Sequence, residues 1–378
     1  MTNQILFLSE LFFYIIGTLL FAACIAPLFI RQLVRFGIGK NLREESPDGK
    51  VAEIFQKLHA KKKGTPTMGG VLIWGIVLFV ILFSRFLSFI GVVEHSLLQR
   101  SEVYLPLFTM IFVGLLGAVD DYFNVKGIGK IKGLSFTVRS SILILFGLIG
   151  GLWFYFKLNY TEITIPFYGL VDIGWWYIPF FIFVIFSTSN AVNVTDGLDG
   201  LAGGLLVMAF SVLIALAVMR EHTFLALFCG VTVGAILGFL WHNIAPAKFY
   251  MGDTGAFALG ATLGVIALMI DMVFVLPFIG FVFFMESASV FIQLFSKKFF
   301  KRKVFKIAPV HHHFEAIGWE EGQIVMRAWI IGGIFSVLGL MVGLIVLEQQ
   351  KEASPSLFEA LAQEIEEIPE NPSFSFSK

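Results

Sequence analysis

The chain has 378 residues, of which 57% are hydrophobic and only 14% charged, with a mean hydropathy of +0.85. This composition excludes a soluble enzyme, a nucleic-acid-binding protein and a disordered chain, because the solvent of such a chain must largely be lipid. The 27 basic and 27 acidic residues cancel, so only their distribution is informative. Cys24 and Cys229 both lie in apolar runs, which excludes a disulfide scaffold and a CxxC-type metal site.

Ten apolar windows follow one another along the chain, and each is close to the roughly 20 residues that span a bilayer as a helix. They are residues 11–30, 68–84, 103–119, 140–156, 173–195, 200–219, 223–241, 254–270, 272–296 and 328–347. Lipid offers no partners to backbone polar groups, and the alternation typical of a β-barrel is missing. The sequence therefore predicts an all-α polytopic membrane protein with ten transmembrane helices. Glu286 interrupts the ninth window at a cost that the sequence does not explain.

Basic residues are unevenly distributed between the loops. The segments that follow odd-numbered windows contain 21 of the 27 lysines and arginines, and the remaining segments contain six. By the positive-inside rule, the basic loops lie in the cytoplasm and both termini are extracytoplasmic. Residues 1–347 are thus predicted to form one ten-helix transmembrane domain, and residues 348–378 a mobile, acidic, extracytoplasmic tail. Residues 160–166 alternate like a strand and predict a small hairpin outside the membrane.

Aspartates cluster at the ends of the windows that face the predicted cytoplasm. They are Asp120, Asp121, Asp196, Asp199 and Asp253. Five carboxylates on one basic face predict a cytoplasmic-facing groove that binds a divalent cation and an anionic substrate. Helix capping is the alternative, and for Asp253 it is an equally good interpretation. The side chains of Asp120 and Asp121 project about 100° apart on a helix, so the two carboxylates cannot have the same role in a site.

Two further polar groups have the chemistry to meet an anionic nucleotide. Residues 61–70 combine Lys62 and Thr67 with glycines at a helix start, as in a phosphate cradle, but they lack the P-loop pattern. A positive-inside cluster is the alternative for the lysines. Asn190 and Asn193 lie in the apolar fifth window and need polar partners, so they either join helices or contact a nucleobase.

Three consecutive histidines, His311, His312 and His313, lie in the last cytoplasmic loop among six basic residues. Adjacent side chains on a helix or turn point in different directions, whereas a zinc site needs spaced ligands. The basic surroundings favour phosphate binding or proton transfer over polar surface or a zinc site.

Five motifs in chain order carry a resemblance to a known family. They are residues 64–70 (GTPTMGG), 120–122 (DDY), 193–202 (NVTDGLDGLA), 251–255 (MGDTG) and 309–315 (PVHHHFE). Together they resemble the phospho-N-acetylmuramoyl-pentapeptide transferases of the polyprenyl-phosphate N-acetylhexosamine-1-phosphate transferase superfamily. The unbroken histidine triplet followed by Phe-Glu favours this branch over the GlcNAc-phosphate branch.

The resemblance implies a magnesium-dependent enzyme of the bacterial inner (cytoplasmic) membrane with its active site on the cytoplasmic side. It would transfer phospho-MurNAc-pentapeptide from UDP-MurNAc-pentapeptide to undecaprenyl phosphate, giving lipid I and UMP, the first membrane step of peptidoglycan synthesis. The resemblance also implies a homodimer.

The resemblance assigns roles to individual residues. Asp253 would bind Mg²⁺, Asp120 and Asp121 would activate or position the lipid phosphate, and His311 would be catalytic. The expected substrate-binding residues are Lys62, Thr67, Asn190, Asp196, Asp199, Asn243, Tyr250, Gln293, His312 and His313.

This chain departs from the family pattern in the loop after Asp121, where Asn124 stands in place of a usual lysine. Lys126, Lys130, Lys132 or Arg139 could substitute, and the sequence does not choose among them.

Two other functions compete with this one. A related transferase could use a different UDP-sugar with a polyprenyl phosphate. An ion-coupled transporter could use the aspartates as an ion path, but such sites lie near the bilayer midplane, whereas these aspartates lie at the ends of the windows.

Overall fold

The computed structural model describes residues 2–39, 64–128 and 133–353 of the chain. The helices within these ranges are α1 (Thr2–Arg35), α2 (Gly70–Phe89), α3 (Tyr104–Lys126), α4 (Phe136–Leu158), α5 (Tyr177–Thr195), α6 (Leu201–Met219), α7 (Thr223–Asn243), α8 (Gly252–Met269), α9 (Leu276–Ile279), α10 (Phe281–Phe299), α11 (Val310–Ala316) and α12 (Glu321–Ala353). Two strands, β1 (Glu162–Ile165) and β2 (Gly169–Asp172), lie between α4 and α5.

Within the described residues, nine helices are long and apolar enough to cross a membrane, or up to ten if one bent pair counts as a single span. The predicted polytopic helical fold is therefore confirmed. The sidedness of the termini and the groove remain predictions. Residues 348–353 continue α12, and the rest of the predicted tail lies outside the described residues.

The predicted ninth span is not one straight helix. Residues Val273–Ile279 and Phe281–Phe299 meet at a break of 82°, so the interruption lies at Gly280 and not at Glu286. The buried polar residues of α10 recur at helical spacing on one face: Glu286, Ser289, Gln293 and Ser296. Phenylalanines such as Phe284 and Phe291 are exposed on the other side, as suits a helix with lipid on one face and a polar site on the other.

The centre of the bundle is formed by α7 and α8, the two most deeply buried long helices of the described chain. Helix α7 packs on α1 and α6, and α8 packs on α3 and α5. Close approach depends on glycine, since a Cβ at Gly70 would clash with the backbone of Gly255. This packing fixes the start of α8 against the ends of its neighbours.

The predicted hairpin is confirmed. Strands β1 and β2 pair in antiparallel fashion, with Thr164 opposite Leu170. The backbone N–H of Thr164 donates to Oδ1 of Asp271 at 3.2 Å, and Nε2 of Gln350 donates to Oδ2 of Asp271 at 2.6 Å. These bonds join the hairpin to the ends of α8 and α12. Burial raises the pKa of the Asp271 carboxyl, against the lowering effect of its hydrogen bonds.

Candidate active site

Three aspartates meet where the end of α3 lies against the start of α8. Gly117, one turn before Asp120, packs so closely on α8 that a Cβ at this position would clash with the carbonyl of Asp253. The contact brings Asp120 and Asp121, which are 4% and 8% exposed, beside the first turn of α8. Carboxylates in so dry a site need cations or hydrogen-bond donors as partners.

A cation from α4 lies between two of these carboxylates. Nη1 of Arg139 donates to Oδ2 of Asp120 and to Oδ2 of Asp253, at 2.7 Å in each case. The backbone N–H of Leu134 donates to the other oxygen of Asp120. Nδ2 of Asn193, near the end of α5, donates to Oδ1 of Asp253 at 2.7 Å. Side chains from α3, α4, α5 and α8 therefore form one connected polar cluster, which we call the aspartate cluster.

Asp121 has different partners from Asp120, as the sequence predicted for adjacent residues of a helix. Its Oδ2 accepts from the backbone N–H of Thr254 at 3.0 Å and from Oγ1 of Thr254 at 2.7 Å. Gly252, the first residue of α8, has a φ of +72°, and a Cβ there would clash with the same carboxylate and lie 2.8 Å from Oγ1 of Thr67. Asp121 thus fixes the start of α8 and lies beside Thr67, a predicted substrate-binding residue.

The capping interpretation of Asp253 is wrong. Helix α8 begins after Met251 without a side-chain cap, and Asp253 lies in its first turn. Its carboxylate is turned towards Arg139 and Asn193 instead. The other interpretation, that Asp253 belongs to a cation- and substrate-binding site, is therefore the one consistent with the structure.

The aspartate cluster offers the oxygen ligands that Mg²⁺ prefers. Magnesium is usually bound by one or two carboxylates, with substrate phosphates and waters completing the octahedron. Oδ2 of Asp120 and Oδ2 of Asp253 both lie within hydrogen-bond distance of one nitrogen, so one small cation could reach both. In the described ranges, no group of three or more His, Cys, Asp or Glu side chains could hold a metal ion. Two carboxylates would bind Mg²⁺ only together with substrate phosphates and waters as further ligands.

Several predicted substrate-binding side chains hold neighbouring loops. Asn243 accepts from the N–H of Gly200 at 3.0 Å and donates to the carbonyl of Phe249 at 2.9 Å. Asp199 accepts from the N–H of Ala247 at 2.9 Å. These bonds fasten the segment before α8 to the start of α6.

The remaining predicted pocket residues are less tightly grouped. Asn190 donates to a carbonyl of its own helix, at Phe186, and within the described residues it makes no hydrogen bond to a second helix. Tyr250 lies beside the segment of Thr67, because its N–H donates to the carbonyl of Pro66 at 2.8 Å. Asp196 ends α5, and Lys62 lies outside the described residues.

The three histidines begin α11, and each has a different partner. Nδ1 of His311 donates to Oε2 of Glu286 at 2.9 Å, and Nδ1 of His312 donates to Oε2 of Glu315 at 2.6 Å. Nδ1 of His313 accepts from the backbone N–H of Lys306 at 3.2 Å. The side chains diverge as predicted.

The loop before α11 is fastened by Gln293, whose amide bonds the backbone of Val304 and Phe305. Gln293 thus shapes the loop that carries the histidines.

Comparison with known proteins identifies the family. Residues 103–271 match the family described as glycosyl transferase family 4, and residues 62–73 match signature 1 of the phospho-N-acetylmuramoyl-pentapeptide-transferases. The chain is 39% identical to the protein of that name from Desulfotalea psychrophila, over 84% of this chain and 88% of the relative. It is 37% identical to that of Halalkalibacterium halodurans, over 90% and 98%, and 36% identical to that of Staphylococcus epidermidis, over 88% and 99%.

The chain belongs to the phospho-N-acetylmuramoyl-pentapeptide-transferase family. The resemblance found in the sequence motifs is thereby confirmed. The signature match contains Lys62 and Thr67, and the longer match contains Asp120, Asp121 and Asp253.

Three residues of this family member lie in the site although the sequence did not assign them to it. Arg139 was one of four candidate substitutes for the missing lysine. Asn193 was expected either to join helices or to contact a nucleobase, and its bond to Asp253 joins α5 to α8. Glu286 was an unexplained charge in an apolar window. The signal for Glu286 is its spacing with Ser289 and Gln293, which places all three on one helix face. No sequence signal distinguishes Arg139 from the other basic residues of its loop.

Proposed function

We propose that the protein transfers phospho-MurNAc-pentapeptide from UDP-MurNAc-pentapeptide to undecaprenyl phosphate, giving lipid I and UMP in the first membrane step of peptidoglycan synthesis. The observation that carries the proposal is the aspartate cluster, in which Asp120, Asp253 and Arg139 meet, in a chain whose relatives bear this name over most of their length. Phosphoryl transfer requires mostly positioning and charge neutralisation, which such a cluster supplies.

Asp253 would hold Mg²⁺, with Asp120 near enough to contribute an oxygen. The ion would neutralise charge on the diphosphate and on the departing UMP. Asn193 orients the carboxylate of Asp253 through its 2.7 Å bond, and Asp121 keeps the first turn of α8 in place through Thr254. Arg139 keeps two like charges together and adds a fixed positive charge, since guanidinium does not deprotonate in proteins.

Asp120 would act on the phosphate of the acceptor lipid. A phosphate monoester with a second pKa near 6 is already largely dianionic at neutral pH. Orientation and desolvation of the lipid phosphate therefore carry more of the rate than removal of its proton.

The UDP-linked donor would lie along the ends of α5, α8 and α11. Asn190, Asp196, Asn243 and Tyr250 would form its uridine end, and Asp199 would also bind the substrate. The sugar-phosphate end would be lined by Lys62, Thr67, Gln293, His311, His312 and His313. Asn243 and Gln293 also serve this pocket by fastening its loops.

The enzyme would lie in the bacterial inner membrane with the aspartate cluster on the cytoplasmic side, both termini outside, and a second copy as its partner in a homodimer. The uneven distribution of lysine and arginine supports this orientation.

The test is UMP release by the purified protein in detergent with undecaprenyl phosphate and Mg²⁺. UDP-MurNAc-pentapeptide and UDP-GlcNAc are compared as donors, with Asp253→Ala as the inactive variant. Release from the muramoyl donor alone, abolished by the substitution, is the expected result. Release only from UDP-GlcNAc would assign a different sugar, and release from neither would refute the transferase.

A further inference from the structure

Glu286 lies on the buried face of α10 and contacts one residue through two bonds. Its Oε2 accepts from Nδ1 of His311 at 2.9 Å and from the backbone N–H of His311 at 3.3 Å. Both residues are buried, at 3% and 1% exposure. A carboxylate can only accept, so the ring carries its proton on Nδ1. Glu286 thereby fixes the orientation and the tautomer of this imidazole.

The second ring nitrogen of His311 points away from Glu286. Nε2 is buried and has no hydrogen-bond partner within the described part of the chain. It faces Gly197, where a Cβ would clash with it. Gly197 directly follows Asp196 and lies two residues before Asp199. A buried polar atom without a partner is costly, and this one is directed at a loop of the proposed donor pocket.

The neighbouring histidines provide an internal comparison. His312 also donates to a glutamate, Glu315, which lies on the same short helix. His313 accepts from the backbone of Lys306. Of the three rings, only that of His311 has a nitrogen that is both buried and unpartnered in the described structure. Its glutamate also comes from another helix, α10, and so links α10 to α11.

We propose that Glu286 is a positioning residue that holds His311 with Nε2 directed at the loop of Gly197, where Nε2 binds a phosphate oxygen of the nucleotide-linked donor. This inference rests on the proposed function. To donate to phosphate, Nε2 must carry a proton while Nδ1 still donates to Glu286, which makes the ring a cation. A buried cation requires a neighbouring negative charge, and Glu286 supplies it. Glycine at residue 197 allows its loop to approach Nε2 closely, because a Cβ there would clash with that atom.

Glu286→Gln tests the charge separately from the shape. The amide keeps an oxygen acceptor for Nδ1 at nearly the same size but removes the negative charge. We expect KM for the donor, and its Kd by calorimetry without acceptor lipid, to rise roughly 10- to 100-fold, as for the loss of a charged hydrogen bond. The KM for undecaprenyl phosphate should stay within a factor of two and kcat within a few-fold. Gly197→Ala should also weaken donor binding, because the Cβ displaces the ring.

A double-mutant cycle shows whether Glu286 acts through His311. The double variant Glu286→Gln/His311→Gln should bind the donor no more weakly than His311→Gln alone. Glu102→Gln is the matched control, because Glu102 faces His222 at 3.8 Å beyond the opposite end of α3. This control should leave donor KM and kcat unchanged.

Three results would overturn the proposal. They are additive losses in the cycle, a donor Kd within a factor of two of wild type in Glu286→Gln, and a uniform loss of kcat and both KM values with a lowered melting temperature. Donor binding without UMP release by the wild type would refute the proposed function, while the Kd cycle would still decide the role of Glu286. Absence of donor binding in the wild type would overturn both.

Discussion

Two substitutions of Arg139 test whether the aspartate cluster needs the charge of its guanidinium or its planar shape. Arg139→Gln leaves Asp120 and Asp253 facing each other without the guanidinium that bonds both at 2.7 Å. The side chains of Arg139, Asp120 and Asp253 are 14%, 5% and 24% exposed, so the pair is mostly but not fully desolvated. Breaking a buried pair costs about 3 to 5 kcal/mol, and the partial exposure argues for the lower end. About 3 kcal/mol in the transition state corresponds to a loss of roughly 10²-fold in kcat/KM.

The assay is the rate of UMP release at several Mg²⁺ concentrations. Arg139→Lys should retain activity within about tenfold of wild type, because an ammonium can still lie between the two carboxylates although it lacks the planar fork. The loss in Arg139→Gln should shrink at high Mg²⁺, because added cation compensates for the missing charge. Lys126→Gln is the control, since Lys126 is exposed at the end of α3 and should be replaceable without effect.

The role of Arg139 as a cation would be refuted by an Arg139→Lys variant as inactive as Arg139→Gln. It would also be refuted by a glutamine variant whose kcat/KM lies within threefold of wild type. In the first case the shape of the guanidinium matters more than its charge, and in the second the carboxylates do not need it.

Three further predictions concern the site and its support. If Asp120 removes a proton from the lipid phosphate, Asp120→Asn should keep its rate of UMP release at pH 8 and lose it at pH 6; equal loss at both pH values indicates positioning, which we expect. Gly117→Ala should lower both the melting temperature and the activity, because its Cβ clashes with the backbone of α8. Burial raises the pKa of Asp271 above the ordinary value of 3.8, so its folded form binds the proton more tightly. Its contribution to stability is therefore present at low pH and is lost as the pH rises through the raised pKa, and Asp271→Asn should flatten this part of the dependence of melting temperature on pH.

Hydropathy predicted the helices well because lipid burial acts on every residue of a span. The eight windows from residue 11 to residue 270, and the last one, each fall largely within a long helix of the structure. The prediction of one straight helix for the ninth window was wrong, because hydropathy reports how apolar a segment is and not the direction of its helix axis. The 82° break at Gly280 depends on how α9 and α10 pack, and α10 buries its polar face while exposing its phenylalanines.

The site was predictable where position along a span carries information. Asp120, Asp121 and Asp253 lie at span ends, and antiparallel neighbours bring such ends together, so their meeting follows from topology. The partners of these aspartates did not follow, because Arg139 reaches Asp120 only through the packing of α4 beside α3, which local sequence does not specify.

Glu286 is a second charged side chain whose tertiary partner the sequence does not identify. A carboxylate in an apolar window is costly unless it has a partner, and the sequence left this cost unexplained. The helical spacing of Glu286 with Ser289, Gln293 and Ser296 does define the face of α10 on which the partner lies. The partner, His311, lies 25 residues further along the chain on a separate helix. Only the packing of α11 against α10 brings Glu286 and His311 together. A buried charge in a span thus predicts that a contact exists, whereas the tertiary structure determines which residue makes it.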